Sequence, residues 1–591
     1  MPSNDLTIRI GGEAGMGLES SGAGFVKALV RGGLHVFGLP DYHSRIRGGH
    51  NFFSVRIADH PLYSHSEAIH LLLALDLETV RRHTDYLVEG GAVVYDAQDE
   101  LPAELRRPGI GFFPVPLTAL AQEHGGSATM RNTLVLGVAA GLIGFDPAPM
   151  ESVIRDNFAR KGQEVVEANL RVSDAGVQAG RAFAADFPFR APVAPAHPPR
   201  LVLNGNQAFA MGALAGGCRF VCGYPMTPGS PVLEWMVAHA ADYGAVTLQV
   251  EDEIAALNMA VGAAYAGVRA LTATSGGGFS LMVEALGLAG MTETPVVIYE
   301  AQRPGPSTGL ATRTEQGDLL FVLHASQGDF PRIVLAPGTI EQSFEAGWRA
   351  FNLAERYQCP VIVLSDHFLA NCLRDVDAQA LDFEAVTIDR GELLSESQLD
   401  ALTEEYRRHA YTDSGISPRA LPGHPQALVL TTSDEHDELG HIVEDAQTRR
   451  RMMDKRMRKL EAAVQEMRPP TLYGPAQAEV TFVAWGSTYG PLREAVDRLN
   501  GQGTAANMLH ITDVWPFPAE PAAERLKAAT RLVAVEGNAT AQMAALLRQT
   551  TGVAIAEHIL KYDGRPLSPE FILSHLNHAP RNTQHVREVT P

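Results

Sequence analysis

Residues 246–278 read VTLQVEDEIAALNMAVGAAYAGVRALTATSGGG, and this stretch decides the fold. Two short apolar runs, 246–250 and 270–275, are separated by a segment of helix length. A strand, a helix and a second strand in this order make the crossover that joins parallel strands. The alternation extends over 201–372, with seven strands predicted at LVLN, RFVCGYP, VTLQV, ALTATS, PVVIYEA, RIVLA and PVIVLSD. We therefore predict a doubly wound, mostly parallel sheet with helices on both faces.

The flanking sequence predicts further α/β domains. Residues 1–186 open with the strand LTIRI, the turn GGEAGMG and an amphipathic helix to about Arg31. The stretch 187–200, FPFRAPVAPAHPPR, has five prolines and indicates an extended linker. Residues 373–475 predict a less regular connector, and 476–591 a last α/β unit. The fold class expected is thus α/β, multidomain, with doubly wound parallel sheets.

The connector contains one strongly charged helix, EDAQTRRRMMDKRMRKLEAAVQEM, at about 444–467. Its apolar side chains recur every three or four residues, so one face should pack against the protein. We expect the basic face to be solvated, although a membrane or calmodulin-like partner would also suit it.

Composition excludes several classes of protein. The 591 residues have a net charge of −20, which argues against nucleic-acid binding and against attraction to an anionic membrane. No apolar run reaches the roughly 18 residues of a membrane helix, and the opening MPSNDLTIRI lacks the features of a secretory signal. Four cysteines suit a reducing cytoplasm. Their spacing does not favour a metal or iron–sulfur site on this chain.

Four unusual loops follow predicted strands: GYPMTPGS, VEDE, TSGGG and QRPGPSTG. Ligands of doubly wound sheets bind at the carboxyl ends of strands, where these loops should meet. Thr227 stands between Pro225 and Pro228, which restrict the backbone and aim its hydroxyl, unless the motif is only a rigid helix entry. The last loop continues to Asp318 as QRPGPSTGLATRTEQGD, and its Arg303 and Arg313 suggest a carboxylate ligand, with a solvated loop as the alternative.

The acids of VEDEI allow two interpretations. Glu251, Asp252 and Glu253 could be no more than favourable charges in a first helical turn. However, the helix behind them is built largely of alanine and glycine, so other backbone or a ligand can approach closely. A carboxylate at its start would then be partly desolvated, which raises its pKa unless a basic group meets it.

The amino-terminal loops suggest phosphate binding less specifically. GGEAGMG could present backbone amides to a phosphate at a helix start, or could be a plain tight turn. In the following SRIRGGHN, Arg45 and Arg47 suit a phosphorylated ligand, while a surface salt bridge explains them almost equally well.

Taken together, GNQAFAMGALAGGCRFVCGYPMTP, EDEIAALNMAVGAAYAGVRALTATSGGG and QRPGPSTGLATRTEQGDL resemble the alpha subunit of 2-oxoacid:ferredoxin oxidoreductases. GGEAGMG and SRIRGGHNFFSVRI resemble that family's gamma domain, here fused ahead of alpha. The resemblance extends through GHPQALVLTTSDEHDELGHIVED and the closing LKYDGRPLSPEF. It implies a gamma domain over 1–186, a pyrimidine-type thiamine diphosphate domain over 201–372 and a transketolase C-terminal-like domain over 476–591.

The resemblance also implies roles for individual residues. Tyr224, Pro225 and Thr227 match the motif that covers the aminopyrimidine of thiamine diphosphate, and Thr227 matches the hydroxyl that orients the 2-oxoacid. Glu253 matches the glutamate that hydrogen-bonds the pyrimidine N1′, with Glu251 as the nearest rival.

Two pairs of arginines complete the implied site. Arg303 and Arg313 match arginines that meet the substrate carboxylate, and Arg45 and Arg47 could contact coenzyme A phosphates.

The family reaction needs a second polypeptide. The chain lacks the GDG…N signature of the diphosphate's metal ion and a cysteine set for a cluster. The resemblance therefore implies a beta subunit carrying Mg²⁺ and a 4Fe–4S cluster, an α2β2 assembly and ferredoxin as partner. It further implies coenzyme A as co-substrate and a reaction that can run backwards as reductive carboxylation.

The fusion of gamma and alpha is more similar to 2-oxoglutarate-using members than to pyruvate-using ones. A preference for pyruvate, a branched-chain or an indole-bearing 2-oxoacid stays open. So does a role of another class, a non-catalytic nucleotide- or CoA-binding regulatory subunit.

Overall fold

The computed structural model describes residues 5–43, 48–193 and 198–576. The chain divides into two compact units. Of the described residues, unit 1 comprises those up to 204 together with 371–380 and 568–570, and unit 2 comprises 205–370, 381–567 and 571–576. Among the described residues, no helix combines the length and the low polarity that crossing a membrane requires.

Twenty strands are described: β1 Asp5–Glu13, β2 His35–Asp41, β3 His50–Ala58, β4 Ile69–Ala74, β5 Leu87–Asp96, β6 Gly111–Val115, β7 Arg200–Leu203, β8 Phe220–Gly223, β9 Val246–Gln249, β10 Ala270–Thr274, β11 Val297–Gln302, β12 Ile333–Leu335, β13 Val361–Asp366, β14 Leu373–Asp377, β15 Thr471–Tyr473, β16 Val480–Trp485, β17 Ala506–Ile511, β18 Asp513–Trp515, β19 Leu532–Glu536 and β20 Glu557–Leu560. The α-helices in the same ranges are α1 Leu18–Arg31, α2 Leu77–His83, α3 Leu117–Gly125, α4 Arg131–Ile143, α5 Ala148–Phe158, α6 Gln163–Ala182, α7 Gly205–Ala215, α8 Ser230–His239, α9 Glu253–Tyr265, α10 Gly276–Met291, α11 Leu319–His324, α12 Ile340–Tyr357, α13 His367–Asn371, α14 Glu396–Asp400, α15 Ala446–Glu466, α16 Tyr489–Gly501, α17 Ala519–Ala528, α18 Gln542–Thr551 and α19 Pro569–Leu576.

Unit 1 is built on an eight-stranded mixed sheet of order β6-β5-β4-β1-β3-β2-β14-β7. The pairs among β1, β4, β5 and β6 are parallel, and the remaining pairs are antiparallel. Apolar side chains of β1 and β3 alternate toward a core that also contains buried residues of α1, α4 and α5. Apolar residues repeat every second position in these strands and every three to four positions in these helices. Such repeats predict that the helices bury one face of the sheet.

Helices α4 and α6 pack backbone against backbone through glycines. A Cβ atom on Gly176 would lie 2.2 Å from the Leu134 carbonyl oxygen, and one on Gly137 would lie 2.4 Å from that of Ser173. Both distances are shorter than van der Waals contact, so only glycine permits this approach.

The Gly176→Ala variant is therefore expected to lose about 1–3 kcal/mol of stability, because the added methyl group overpacks the helix pair. Gln178→Ala, an exposed change on the same helix, is the control and should be nearly neutral. Denaturant unfolding of the full chain measures both variants, and equal midpoints for the two would contradict the packing argument.

One predicted strand lies in a different sheet. The sequence pattern predicts that LVLN belongs to the parallel sheet of residues 201–372. In the structure its strand, β7, instead pairs with β14 at the edge of the sheet of unit 1. Arg200 in β7 makes an ion pair with Asp375 in β14. The Asp375 carboxylate also accepts a hydrogen bond from Val36 N at 2.7 Å. Partners more than 150 residues away in the chain select this pairing, which local pattern does not reveal.

Unit 2 contains a seven-stranded sheet of order β18-β12-β13-β11-β10-β8-β9 and a five-stranded sheet of order β15-β17-β16-β19-β20. All described pairs are parallel except β12 with β18 and β15 with β17. One continuous core joins the two sheets, since Ile298 and Ile362 of the larger sheet and Val483 and Leu509 of the smaller sheet are buried in one cluster. The predicted α/β class with parallel sheets is confirmed.

The charged helix α15 is buried differently from the prediction. Its buried residues are Met452, Lys455, Arg456, Lys459 and Ala463. The prediction of a solvated basic face was therefore wrong for three cations, although the cations nearer its start are exposed.

An acid in unit 2 accounts for the burial of both lysines. Lys455 Nζ lies 2.6 and 2.9 Å from the two carboxylate oxygens of Glu293, and Lys459 Nζ contacts the same carboxylate. Glu293 follows α10 and is fully buried, 0% exposed.

Two histidines complete this cluster. His409 Nδ1 lies 3.1 Å from Glu293 Oε1, and the His436 ring packs on that of His409 at 4.0 Å between centroids. The three residues have the spacing of a metal site. Because two ammonium groups already neutralise the carboxylate, we assign the cluster to the stability of the fold.

Candidate functional site

Three of the four predicted loops meet above the first turn of α10. This turn begins with Gly276, Gly277 and Gly278, directly after β10. A Cβ atom on Gly277 would lie 3.6 Å from the Ser307 carbonyl oxygen and 4.0 Å from Met226 Sδ. The loops after β8 and β11 therefore approach each other over an exposed glycine. Parallel strands with a common direction bring these loops to one edge of the sheet.

The structure distinguishes the three acids of VEDEI. Asp252 is the N-cap of α9, and its side chain accepts a hydrogen bond from Ala255 N at 2.7 Å. Glu251 is exposed, whereas Glu253 is only 4% exposed. Helix capping therefore explains Asp252 alone, and Glu253 is the acid that is buried.

Glu253 is enclosed by the small residues of α10. A Cβ atom on Gly278 would lie 2.8 Å from Glu253 Oε1, so glycine at this position makes room for the carboxylate. Within the described ranges of the chain, no donor hydrogen-bonds the Glu253 side chain. A buried carboxylate without a protein donor suits a ligand that supplies one, such as a protonated or tautomerising ring nitrogen.

Residues of the β8 loop are held partly by Arg303. Thr227 is half-buried, and its carbonyl oxygen accepts from Arg303 Nη1 at 2.7 Å. Tyr224 and Pro225 are exposed at the same mouth, with 39% of Tyr224 accessible. The helix that follows has Gly229 as its N-cap, and Gly229 N and Ser230 N both donate to Met226 O.

The two arginines of the β11 loop have different surroundings. Burial lowers the pKa of Arg303, which the nearby Asp318 carboxylate partly opposes. Arg313 instead packs its side-chain stem on Gly564, where a Cβ atom would lie 3.2 Å from Arg313 Cβ. Arg303 thus faces the β8 loop, whereas Arg313 lies toward the segment after β20.

The β11 loop is closed at its base by glutamines that sequence analysis did not single out. Gln302 Oε1 accepts from Asp318 N at 3.0 Å, which joins the residues at the two ends of the loop. Gln316 Nε2 donates to Trp485 O at 3.0 Å, and Gln542 Nε2 donates to Gly317 O at 2.8 Å. A long loop pinned at this many points presents its side chains in a fixed arrangement.

Two acids next to the loop, one fully buried and one partly buried, were also missed. Glu300 in β11 is fully buried, and Asp318 ends the loop. An acid within a strongly apolar strand, VVIYEA, is the signal that could have identified Glu300.

Arg45 and Arg47 lie outside the described residues. The neighbouring turn GGEAGMG lines a cavity of about 270 Å³ together with Asp41, Tyr42 and Phe52. Two more acids, Glu13 and Glu19, also line this cavity.

Comparisons with known proteins agree over most of the chain. Residues 211–455 match the family described as "Pyruvate flavodoxin/ferredoxin oxidoreductase, thiamine diP-bdg". Residues 7–179 match "Pyruvate ferredoxin/flavodoxin oxidoreductase", and residues 478–572 match "Pyruvate:ferredoxin oxidoreductase core domain II".

Individual relatives cover nearly the full length. A 2-oxoacid:ferredoxin oxidoreductase subunit alpha of Sulfolobus sp is 34% identical over 95% of this chain and 95% of its own length. The 2-oxoglutarate oxidoreductase subunit KorA of Mycobacterium tuberculosis is 30% identical over 92% and 87%. The solved 2-oxoglutarate:ferredoxin oxidoreductase from Magnetococcus marinus, "with 2-oxoglutarate, coenzyme A and succinyl-CoA bound", is 33% identical over 97% and 99%, with a TM-score of 0.89.

Proposed function

Because the chain belongs to the alpha subunits of 2-oxoacid:ferredoxin oxidoreductases, we propose that it acts with a beta subunit on 2-oxoglutarate. The reaction converts 2-oxoglutarate, coenzyme A and two oxidised ferredoxins into succinyl-CoA, CO2, a proton and two reduced ferredoxins. The observation that carries this proposal is the likeness over 97% of the chain to an enzyme solved with 2-oxoglutarate, coenzyme A and succinyl-CoA bound. The reverse direction is a reductive carboxylation.

Thiamine diphosphate, when bound, would supply a carbon nucleophile and an electron sink for cleavage of the bond next to the 2-oxo group. The residues at the mouth of the site fit its aminopyrimidine, since a buried carboxylate, Glu253, lies beside the small residues of α10. In this proposal Glu253 hydrogen-bonds the ring nitrogen and holds the proton that favours the imino tautomer. Tyr224 and Pro225, exposed at the same mouth, cover the ring.

The substrate is oriented by this chain's polar side chains. Thr227 offers a hydroxyl between two prolines, and Arg303 lies directly against its carbonyl oxygen. A guanidinium in a partly buried site binds a carboxylate more strongly than it would in water. We propose that Arg303 and Arg313 meet the substrate carboxylates, and that Arg45 and Arg47 contact coenzyme A.

The remaining groups belong to the partner in this proposal. The beta subunit holds Mg²⁺ and a 4Fe–4S cluster, the assembly is α2β2, and electrons leave one at a time to ferredoxin. We also propose a cytoplasmic location, because a chain of 591 residues with only four cysteines is typical of proteins in a reducing compartment.

A second candidate is a pyruvate-using enzyme. The matching family descriptions name pyruvate, so a smaller 2-oxoacid is the specific alternative. The two candidates differ in whether the site recognises a second carboxylate.

The test is copurification with the beta subunit followed by CoA-dependent reduction of ferredoxin or a viologen with a panel of 2-oxoacids. We expect the highest kcat/KM with 2-oxoglutarate. A preference for pyruvate would overturn the substrate assignment alone, and no activity with any 2-oxoacid would overturn the catalytic one.

Arg303→Ala and Arg313→Ala are each expected to raise KM for the 2-oxoacid by about 10- to 10²-fold, the effect of losing a hydrogen bond between charged groups. KM for coenzyme A should stay nearly constant in both variants. Arg450→Ala, an exposed change on α15, is the matched control. Steady-state kinetics with each substrate varied in turn measures both KM values. If the loss of an arginine raised KM for the 2-oxoacid and for coenzyme A equally, the assignment of that arginine to the substrate carboxylate would be contradicted.

A further inference from the structure

Glu300 is an acid in the core of the seven-stranded sheet of unit 2. It is 0% exposed, and in the described part of the chain neither of its carboxyl oxygens accepts a hydrogen bond from a protein donor. Its side chain instead meets the carboxyl group of Asp318, and the Asp366 carboxylate lies on the same side. Two carboxyl groups in contact cannot both be charged at low cost when one of them, Glu300, is fully buried.

The surroundings decide which acid keeps the proton. Burial first, and then the Asp318 charge, raise the pKa of Glu300 well above its usual range. Burial raises the pKa of Asp318 to about 6, and the hydrogen bond to Glu300 and the charge of Arg303 oppose this rise. The cation therefore favours Asp318 as the charged member, and the proton stays on Glu300.

Asp318 touches the helix that encloses Glu253. A Cβ atom on Gly276 would lie 2.2 Å from Asp318 Oδ2, and one on Gly278 would lie 2.8 Å from Glu253 Oε1. The two carboxylates thus contact the first turn of α10 two residues apart. The positive end of the helix dipole favours negative charge at this turn.

We propose that Glu300 is a positioning residue, whose protonated carboxyl group donates a hydrogen bond to the Asp318 carboxylate. This bond holds Asp318 between Arg303 and the first turn of α10, against which Glu253 packs. Its consequence for catalysis rests on the proposed function, whereas the protonated pair does not depend on that function.

The charged groups around the pair are accounted for. Asp318 and Asp366 raise the pKa of Glu300, Arg303 lowers that of Asp318, and Glu315 at the end of the loop interacts with Asp318. The two groups that act on Glu300 itself, Asp318 and Asp366, are both acidic, and their negative charge favours the protonated form of Glu300.

The first test measures protonation without any reference to activity. A carboxyl group with a raised pKa in the folded state binds its proton more tightly there than in the unfolded chain. Stability therefore falls as pH rises from the unfolded pKa toward the folded one. Glu300→Gln keeps a neutral donor and removes this dependence. The Tm of the wild type relative to that of Glu300→Gln should fall as pH rises from about 5 to about 8, a range that begins just above the unfolded pKa of glutamate.

Thermal unfolding of the full-length chain, in the assembly in which it is purified, gives this comparison. Glu461→Gln, an exposed change on α15, should instead follow the wild type at every pH. Parallel curves for the wild type and Glu300→Gln would overturn the protonated pair.

The second test measures positioning in the complex with the beta subunit. Glu300→Gln should retain turnover, because an amide can donate to Asp318, whereas Glu300→Leu should lower kcat on the order of 10²-fold, as displaced catalytic groups do. Equal losses in both variants would overturn hydrogen-bond donation by Glu300, and so would an unimpaired Glu300→Leu. If Glu300→Leu does not fold, the glutamine variant decides the question, since its loss of turnover would contradict the proposal. A wild-type complex inactive with every 2-oxoacid would refute the proposed function, while the pH test would still decide the state of Glu300.

Discussion

Glu253→Gln is expected to lower kcat of the assembled enzyme by about 10²-fold or more, the usual contribution of a positioned acid–base group. Glutamine has the same shape and can still fit beside Gly278, but it cannot accept and hold a proton. The fold should persist, since the described residues give the Glu253 carboxylate no hydrogen bond that the variant would lose. Steady-state turnover with 2-oxoglutarate, coenzyme A and a viologen measures the change.

Glu251→Gln is the matched control for this variant. It makes the same chemical change two residues away, on a side chain that is exposed. We expect turnover within about twofold of the wild type, as for most surface substitutions. If the two variants lost activity to the same degree, burial would not be what distinguishes the acids, and the role of Glu253 would be refuted.

Glu293→Gln is expected to destabilise the chain by about 3–5 kcal/mol, the cost of removing one partner from a buried ion pair. The carboxylate neutralises Lys455 and Lys459, which are both at most 1% exposed. An amide leaves two buried ammonium groups without a counter-charge. Denaturant unfolding measures the loss, with Glu461→Gln on the exposed side of α15 as the control.

The pH dependence of stability gives a second measure of the same cluster. Burial opposes the charged form of Glu293, but Lys455 and Lys459 outweigh it and hold its pKa well below the usual range. A depressed pKa adds stability above the unfolded pKa, and this stability is lost as the pH falls toward the folded one. The wild type should therefore lose more stability than Glu293→Gln on acidification below about pH 4.5, the unfolded pKa. A common acid dependence would show that the lysines are not paired with this carboxylate.

Much of the larger fold could be predicted because its signals are local. Strands such as β12 and β13 show continuous apolar runs, and the helices between the predicted strands have the length of crossover connections. The positions of the functional loops follow from topology, since parallel strands bring their carboxyl ends to one edge. The prediction was wrong for LVLN, where the partner strand β14 lies about 170 residues further along the chain.

Charge patterns were less informative than apolar ones. The buried face of α15 carries Lys455, Arg456 and Lys459, which the helical period alone assigns to solvent. Their burial depends on Glu293 and Glu435, which stand outside the helix. The counter-charges that allow these cations to be buried come from other segments, so no pattern within the helix could have predicted this face.

By itself the sequence determined the α/β class, most strands of the parallel sheet that carries the candidate site, and the loops that follow those strands. These depend on periodicity and on backbone restrictions that each segment carries within itself. Only the tertiary structure decided that Glu253 and not Glu251 is enclosed, that Arg303 lies against Thr227, and that Glu300 meets Asp318. Burial and proton affinity depend on which groups of distant segments lie close together in the folded chain. The order of residues alone does not reveal these contacts.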